Sequence, residues 1–285
     1  MSNQKNIVTR FAPSPTGHLH LGHAYSAWFA QRAAEESGGR FLLRIEDIDQ
    51  TRCRPEYETV VLDDLAWLGL TWEEPVRRQS AHMDDYAHAL SDLEDAGLLY
   101  PCFCTRAEIR AEIEAAGQAP HGPDGPLYPG TCRRLDPSAR RDRQAAGEPF
   151  ALRLDMTKAA ARAGELAWHD RGRGEITAEP ARFGDVVLAR KDVPTSYHLA
   201  VTVDDALQGV TLVTRGLDLM PSSHVHRLLQ ELLGLPTPKY HHHRLLTSDA
   251  GQRLAKRDKS LTLRALRQAG KSPDEVRKMA GIDSP

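Results

Sequence analysis

The chain opens with a short apolar and β-branched run, residues 7–11, that reads as a buried strand. A loop rich in proline and glycine follows. Apolar residues then recur at helical spacing over residues 24–37, and Gly38-Gly39 supplies the stop expected at a helix C-terminus. Residues 41–45 form the next apolar run. Strand, loop, helix, strand is the order that builds a parallel sheet, with ligands at the strand C-termini. Pro55 opens a helix that the pattern carries to Leu68, and residues 84–96 form another, stopped near Gly97. Periodicity is lost over residues 100–134. Strand-like runs return at residues 150–154, 186–189, 198–203 and 211–214, and a helix is predicted over 222–233. The last 40 or so residues read as two short helices after a basic loop.

This pattern predicts an α/β protein: a main domain over residues 1–99 and 135–244, an insertion over 100–134, and a tail over 245–285. A length of 285 residues suffices for a real core, and 40% hydrophobic with 27% charged residues is ordinary globular composition. The net charge of -2 gives no whole-molecule attraction to nucleic acid, so any RNA contact must come from a local basic surface. No apolar run approaches a membrane span, and the N-terminus has no apolar signal segment. The expectation is a soluble, cytoplasmic monomer with no membrane partner. Four cysteines in a chain of this length are not a disulfide scaffold; clustered in a reducing compartment, they suggest metal.

The loop after the first strand carries the first candidate chemistry. His20 and His23 sit three apart at a helix start, so they share one face. Gly22 between them lets a flat ligand approach the backbone. Helix N-termini attract phosphate, and two imidazoles aimed there would stabilise charge on a transferring phosphoryl group. The spacing alone is a short motif that also fits ordinary polar turn residues; the preceding strand and the Pro-Ser-Pro-Thr-Gly context favour function.

Arg10-Phe-Ala-Pro-Ser-Pro-Thr-Gly17 followed by His20-Leu-Gly-His23 resembles the first signature of class I aminoacyl-tRNA synthetases, in the form used by the glutamyl members. Arg44-Ile-Glu-Asp-Ile-Asp49 with Arg52, Asp192 to His198, Val203-Asp-Asp205 and Arg215-Gly216 resemble later glutamyl blocks. The resemblance runs from about residue 7 to 260. It implies a Rossmann-like class I synthetase catalytic domain that binds ATP at His20, Gly22, His23 and Lys256, with Mg²⁺ accompanying the ATP. His20, His23 and Lys256 would be catalytic. It also implies an L-glutamate site formed by Arg10, Ala12, Ser14, Glu46, Tyr197 and Arg215, in which a cation meets the side-chain carboxylate and Glu46 holds the ammonium. The second signature departs from the family: in Arg253-Leu-Ala-Lys-Arg257, Arg replaces the first Lys and Ala a Ser, while Lys256 is kept. Leu217 stands where the family often has Glu.

Cys102, Cys104 and Cys132 supply three thiolates, and a closed zinc site needs a fourth ligand. His121 is the ordinary chemical candidate. The Cys-x-Cys, Tyr-x-x-x-Cys arrangement resembles that of glutamyl-queuosine tRNA(Asp) synthetases and implies Tyr128, with one Zn²⁺ per chain. Cys53 stands apart. In His241-His242-His243, neighbours on an extended segment point to opposite faces, so a polar strand end is expected rather than a metal site.

After Lys256 the chain runs only to Pro285, which leaves no room for the anticodon-binding domain of full glutamyl enzymes. The expectation is therefore a shortened relative that makes glutamyl-adenylate without tRNA and passes glutamate to queuosine in the tRNA(Asp) anticodon loop. A minimal glutamyl-tRNA synthetase charging the tRNA 3′ end, a small nucleotidyltransferase sharing the histidine turn, and a non-catalytic zinc-stabilised RNA-binding paralogue are the alternatives.

Overall fold

The run Val-Thr-Arg-Phe forms β1 (Val8–Phe11), buried along its whole length. The computed structural model describes residues 7–115, 121–123, 125–246 and 262–282. Helix α1 (Leu21–Glu35) carries the chain back, and β2 (Arg40–Ile45) pairs parallel with β1, Phe11 lying opposite Leu43. Helix α2 (Pro55–Trp67) begins at Pro55, where a missing N–H costs nothing. It leads to β3 (Glu73–Arg78), parallel to β2 at the sheet edge. Only Val76 of β3 is buried, so this strand leaves no apolar signal in the sequence.

Helix α3 (Met83–Asp95) precedes β4 (Leu99–Cys102) and α4 (Arg106–Ala115). Two-residue strands β5 (His121–Gly122) and β6 (Gly125–Pro126) then pair with each other. The chain continues through α5 (Pro137–Ala145), β7 (Ala151–Leu154), α6 (Met156–Ala163), β8 (Ala167–Asp170), β9 (Gly174–Thr177) and β10 (Val187–Ala189). Strand β7 lies between β10 and β4, antiparallel to both. Helix α7 (Tyr197–Leu207) follows, then β11 (Leu212–Gly216), α8 (Ser222–Leu232) and β12 (Lys239–His243). A second sheet runs β11-β12-β8-β9, with β11, β12 and β8 parallel. Its β11 edge meets β1: Thr211 N donates to Val8 O at 3.0 Å, and Val8 N to Thr211 Oγ1 at 2.9 Å. The C-terminal ends of β1 and β11 are thereby brought together.

Residues 198–203, expected as a strand, lie in α7. The β-branched run Val201-Thr-Val203 imitates a strand, but Ser196 caps the helix by accepting from Leu199 N, and every residue from Leu199 to Asp205 is buried. A helix buried on most sides shows no amphipathic stripe. After residue 262, α9 (Leu263–Gln268) and α10 (Pro273–Met279) close the chain. Leu263 N donates to Leu19 O at 2.8 Å, and Thr262 bridges His20. The segment is thus tied to the loop before α1, while Val276 and Ala280 pack into the core beneath that helix. Among the described residues no helix is long and apolar enough to cross a membrane.

Candidate active site

A cavity of about 500 Å³ opens at the C-terminal ends of β1, β2, β11 and β12. Arg10, Ala12 and Ser14 enter it from β1 and the loop beyond, His20, Gly22 and His23 from the start of α1, Glu46 from just after β2, Tyr197 from the first turn of α7, and Arg215 from β11. These nine positions span 206 residues of sequence, and the strand order alone brings them together.

The two histidines cap α1 reciprocally. His20 Nδ1 accepts from Gly22 N at 3.1 Å and His23 Nδ1 accepts from His20 N at 3.1 Å. Their rings lie 3.8 Å apart between centroids. Because each Nδ1 is an acceptor, each neutral ring carries its proton on Nε2, the tautomer that offers an N–H donor. A Cβ at Gly22 would stand 3.0 Å from His20 Cε1, so the glycine keeps this ring seated. Helix α1 therefore begins at Leu21, three residues ahead of the periodic pattern, with the cap itself facing the cavity.

Arg10 is held by Asp205 at two points, Nε to Oδ1 at 2.9 Å and Nη2 to Oδ2 at 3.2 Å, and donates to Thr214 O. The fully buried Arg44 shares the same carboxylate at 2.9 Å and approaches Glu46 Oε1 at 3.5 Å. Burial alone would raise the Asp205 carboxyl, yet Arg10 and Arg44 hold it below the usual range. Burial pushes the Glu46 carboxyl up, against the pull of Arg44 and Arg10. Glu46 is 12% exposed, towards the cavity. A ligand ammonium beside it would favour its charged form.

Arg215 has a different environment. Its Nε donates to His242 Nε2 at 3.2 Å, Nη1 to Tyr197 Oη and His226 Nδ1 at 3.3 Å each, and Nη2 to Ser223 Oγ at 2.7 Å. No carboxylate among the described residues forms an ion pair with it. It is 5% exposed. A buried cation among neutral acceptors is a strong site for a ligand carboxylate.

Between the cavity's two groups of elements in sequence, Cys102 ends β4, Cys104 follows it, and Cys132 opens a single 3-10 turn. Their sulfurs all lie within 4.8 Å of one another, and Cys104 and Cys132 are 3.4 Å apart. Tyr128 Oη stands 3.4 Å from Cys102 Sγ and 3.5 Å from Cys104 Sγ. Tetrahedral zinc with thiolate and oxygen ligands requires about 3.8 Å between sulfurs and about 3.5 Å from sulfur to oxygen. The two sulfur–oxygen distances match and the Cys104–Cys132 pair lies close to these spacings, so the three cysteines can hold zinc. Burial pushes the Cys104 thiol up to about 11 and the Tyr128 phenol well above its ordinary value; each becomes a ligand when a cation stabilises its anion. The His121 side chain lies outside the described residues.

The family model for the catalytic domain of class I tRNA synthetases of the E and Q type matches residues 6–280. The chain belongs to this family. It is 52% identical over 281 residues to a glutamyl-Q tRNA(Asp) synthetase of Rhodobacter capsulatus, covering 97% of this chain and 100% of that protein. It is 38% identical to a glutamate--tRNA ligase of Aquifex aeolicus, covering 95% of this chain but 55% of the ligase. A glutamate tRNA ligase from Elizabethkingia meningosepticum, solved with its amino acid, superposes with a TM-score of 0.76 at 30% identity, over 89% of this chain and 52% of that one. The protein is thus a ligase with the class I synthetase catalytic fold and glutamyl-tRNA synthetase-like activity. Membership implies use of ATP with Mg²⁺ and binding of glutamate and tRNA.

Within this synthetase fold the cavity also draws in residues that the motifs do not single out. His243 faces it from the end of β12, with Nε2 2.9 Å from Ser26 Oγ and its ring against Tyr25. Asp218 and Arg244 line the same wall. The three consecutive histidines are a strand, as expected, but not a polar end: His242 and His243 are buried, on opposite faces. A Cβ at Gly216 would meet the Asp218 carboxylate and a Leu245 methyl, so both side chains would have to shift. Lys256 and Arg253 lie outside the described residues.

Proposed function

We propose that the cavity activates L-glutamate with ATP, without tRNA, and passes the glutamyl group to queuosine in the anticodon loop of tRNA(Asp). The observation that carries the proposal is the convergence of a buried cation, a carboxylate and two capped imidazoles on one cavity. An oxygen of the glutamate α-carboxylate attacks the ATP α-phosphorus, the bond to the β-phosphate oxygen breaks, and pyrophosphate leaves. His20 and His23 donate Nε2–H to the charge that builds on the α-phosphate, and Lys256 meets the departing phosphates. The α-carboxylate loses its charge on adenylation, whereas the γ-carboxylate keeps its own throughout. Arg215 is therefore assigned to the γ-carboxylate, together with the Tyr197 hydroxyl, which accepts from Arg215 and has its own proton to donate. Glu46 takes the ammonium; Arg10, Ala12 and Ser14 form the remaining wall. In the second step a hydroxyl oxygen of the queuosine cyclopentene-diol attacks the acyl carbon, AMP leaves, and the hydroxyl proton passes to the phosphate or to water.

Cys102, Cys104, Tyr128 and Cys132 are proposed as the zinc ligands, where the ion would fasten the loop over residues 127–132 to the end of β4. The queuosine acceptor is supported by the R. capsulatus relative, whose full length this chain spans at 52% identity. Charging of the tRNA 3′ end is the second reading, favoured by the glutamate--tRNA ligase relatives. Exchange of labelled pyrophosphate into ATP tests the first step: it should depend on glutamate and proceed without tRNA. Preference for glutamine or aspartate would refute the assignment of the pocket.

A further inference from the structure

Arg215 spends four of its five N–H donors on protein groups, and all four acceptors are neutral: His242, His226, Ser223 and Tyr197. A buried arginine ordinarily meets a carboxylate, as Arg10 and Arg44 do on Asp205, each at 2.9 Å. Here the nearest carboxylate along the hydrogen-bond chain, Asp170, is set one imidazole back. Its Oδ2 lies 2.7 Å from His242 Nδ1, and it is further engaged by the amides of Gly172 and His242 and by Arg173.

The donor pattern fixes both rings. Arg215 can only donate, so His242 must accept on Nε2 and carry its proton on Nδ1, towards Asp170. His226 must accept on Nδ1 and carry its proton on Nε2, which lies 3.1 Å from His198 Nδ1. His198 in turn accepts and completes the chain. Burial first, and Arg215 second, push His242 and His198 down to about 4, and His226 well below its ordinary value. A proton on either ring contact would set a cation against Arg215. The surroundings therefore hold the guanidinium in place and leave its charge uncancelled.

We infer that His226, His242 and Ser223 are positioning residues that orient Arg215 without neutralising it, and so make the pocket select an acid over its amide. The inference rests on the assignment of Arg215 to the γ-carboxylate. A carboxylate introduced into this shell would satisfy the charge internally and remove the advantage of glutamate over glutamine. A neutral isostere would not, because it keeps an acceptor of the same shape.

The test is amino-acid-dependent pyrophosphate exchange with glutamate and with glutamine, in the full chain, for the matched pairs His226→Asp and His226→Asn, and Ser223→Asp and Ser223→Asn. The Asp members should raise KM for glutamate and lower the glutamate-over-glutamine ratio of kcat/KM roughly 10- to 100-fold relative to their Asn partners. Equal ratios within each pair would overturn the inference. A histidine ¹⁵N spectrum of the unsubstituted protein at neutral pH needs no variant to fold. It should show neutral rings at both positions, Nε2-protonated for His226 and Nδ1-protonated for His242; an imidazolium at either contradicts the inference. Arg215→Ala separates the two levels. Undiminished glutamate-dependent exchange in that variant would remove the pocket assignment itself, whereas a loss there with equal Asp and Asn pairs removes only the role of the shell.

Discussion

Arg10 and Asp205 face each other through two hydrogen bonds, 2.9 and 3.2 Å long, across 195 residues of sequence. Asp205 holds Arg44 as well, so one buried carboxylate restrains two guanidinium groups. Asp205→Ala leaves both cations without that partner, and a broken buried pair costs about 3–5 kcal/mol. Denaturant unfolding should show this loss of stability. An unchanged midpoint would mean that the pair is dispensable to the fold.

Arg10→Ala and Arg215→Ala should differ in kind. Each should lower glutamate-dependent kcat/KM by about 2 kcal/mol or more, roughly 30-fold. Arg10→Ala also takes a cation from Asp205 and should destabilise the protein. Arg215→Ala abandons only neutral acceptors and should change stability less. Steady-state exchange kinetics and unfolding of the two variants side by side check the contrast; equal stability losses would contradict it.

Elemental analysis of the purified protein should find one zinc per chain. Cys132→Ser should lose it more readily than Tyr128→Phe, because the first removes a thiolate and the second leaves an aromatic ring that still packs. Arg153, whose guanidinium carbon lies 3.9 Å over the Tyr128 ring, keeps that packing in place. If Tyr128→Phe has no effect on zinc affinity, His121 or water is the fourth ligand.

The histidines around Arg215 also set a pH dependence. His198 and His242 are depressed from 6.5 to about 4 in the fold, by burial and by Arg215. Below pH 6.5 the unfolded chain takes up protons that the folded protein refuses. Stability from these groups is therefore complete above about pH 6.5 and falls as the pH drops towards 4. The slope approaches about 1.4 kcal/mol per pH unit for each group. Melting temperature against pH should decline over this window, and a flat profile between pH 7 and 5 would show that these rings take up protons in the fold as readily as in the unfolded chain.

The parts of this site that carry local chemistry are legible in the sequence. Arg10 to His23 announces a loop and a helix start with two histidines on one face, because spacing within one loop fixes which groups can meet, and three of the four cysteines fall in the stretch without periodicity. Elements that owe their form to long-range burial are not. Strand β3 is polar and edge-lying; α7 is buried on most sides and carries a β-branched run that imitates a strand. The role of His242 is hidden for the same reason. Only the parallel pairing of β11 with β12, which sets Arg215 opposite His242, places that ring against the buried cation of the pocket.

The acceptor decides the central claim. Labelled glutamate, ATP and the protein should be incubated with tRNA(Asp) from cells that make queuosine and with tRNA(Asp) from cells that cannot. The account predicts label on the first and none on the second. Equal labelling of both, or labelling of tRNA(Glu) instead, would contradict it and place the glutamyl group on the tRNA 3′ end.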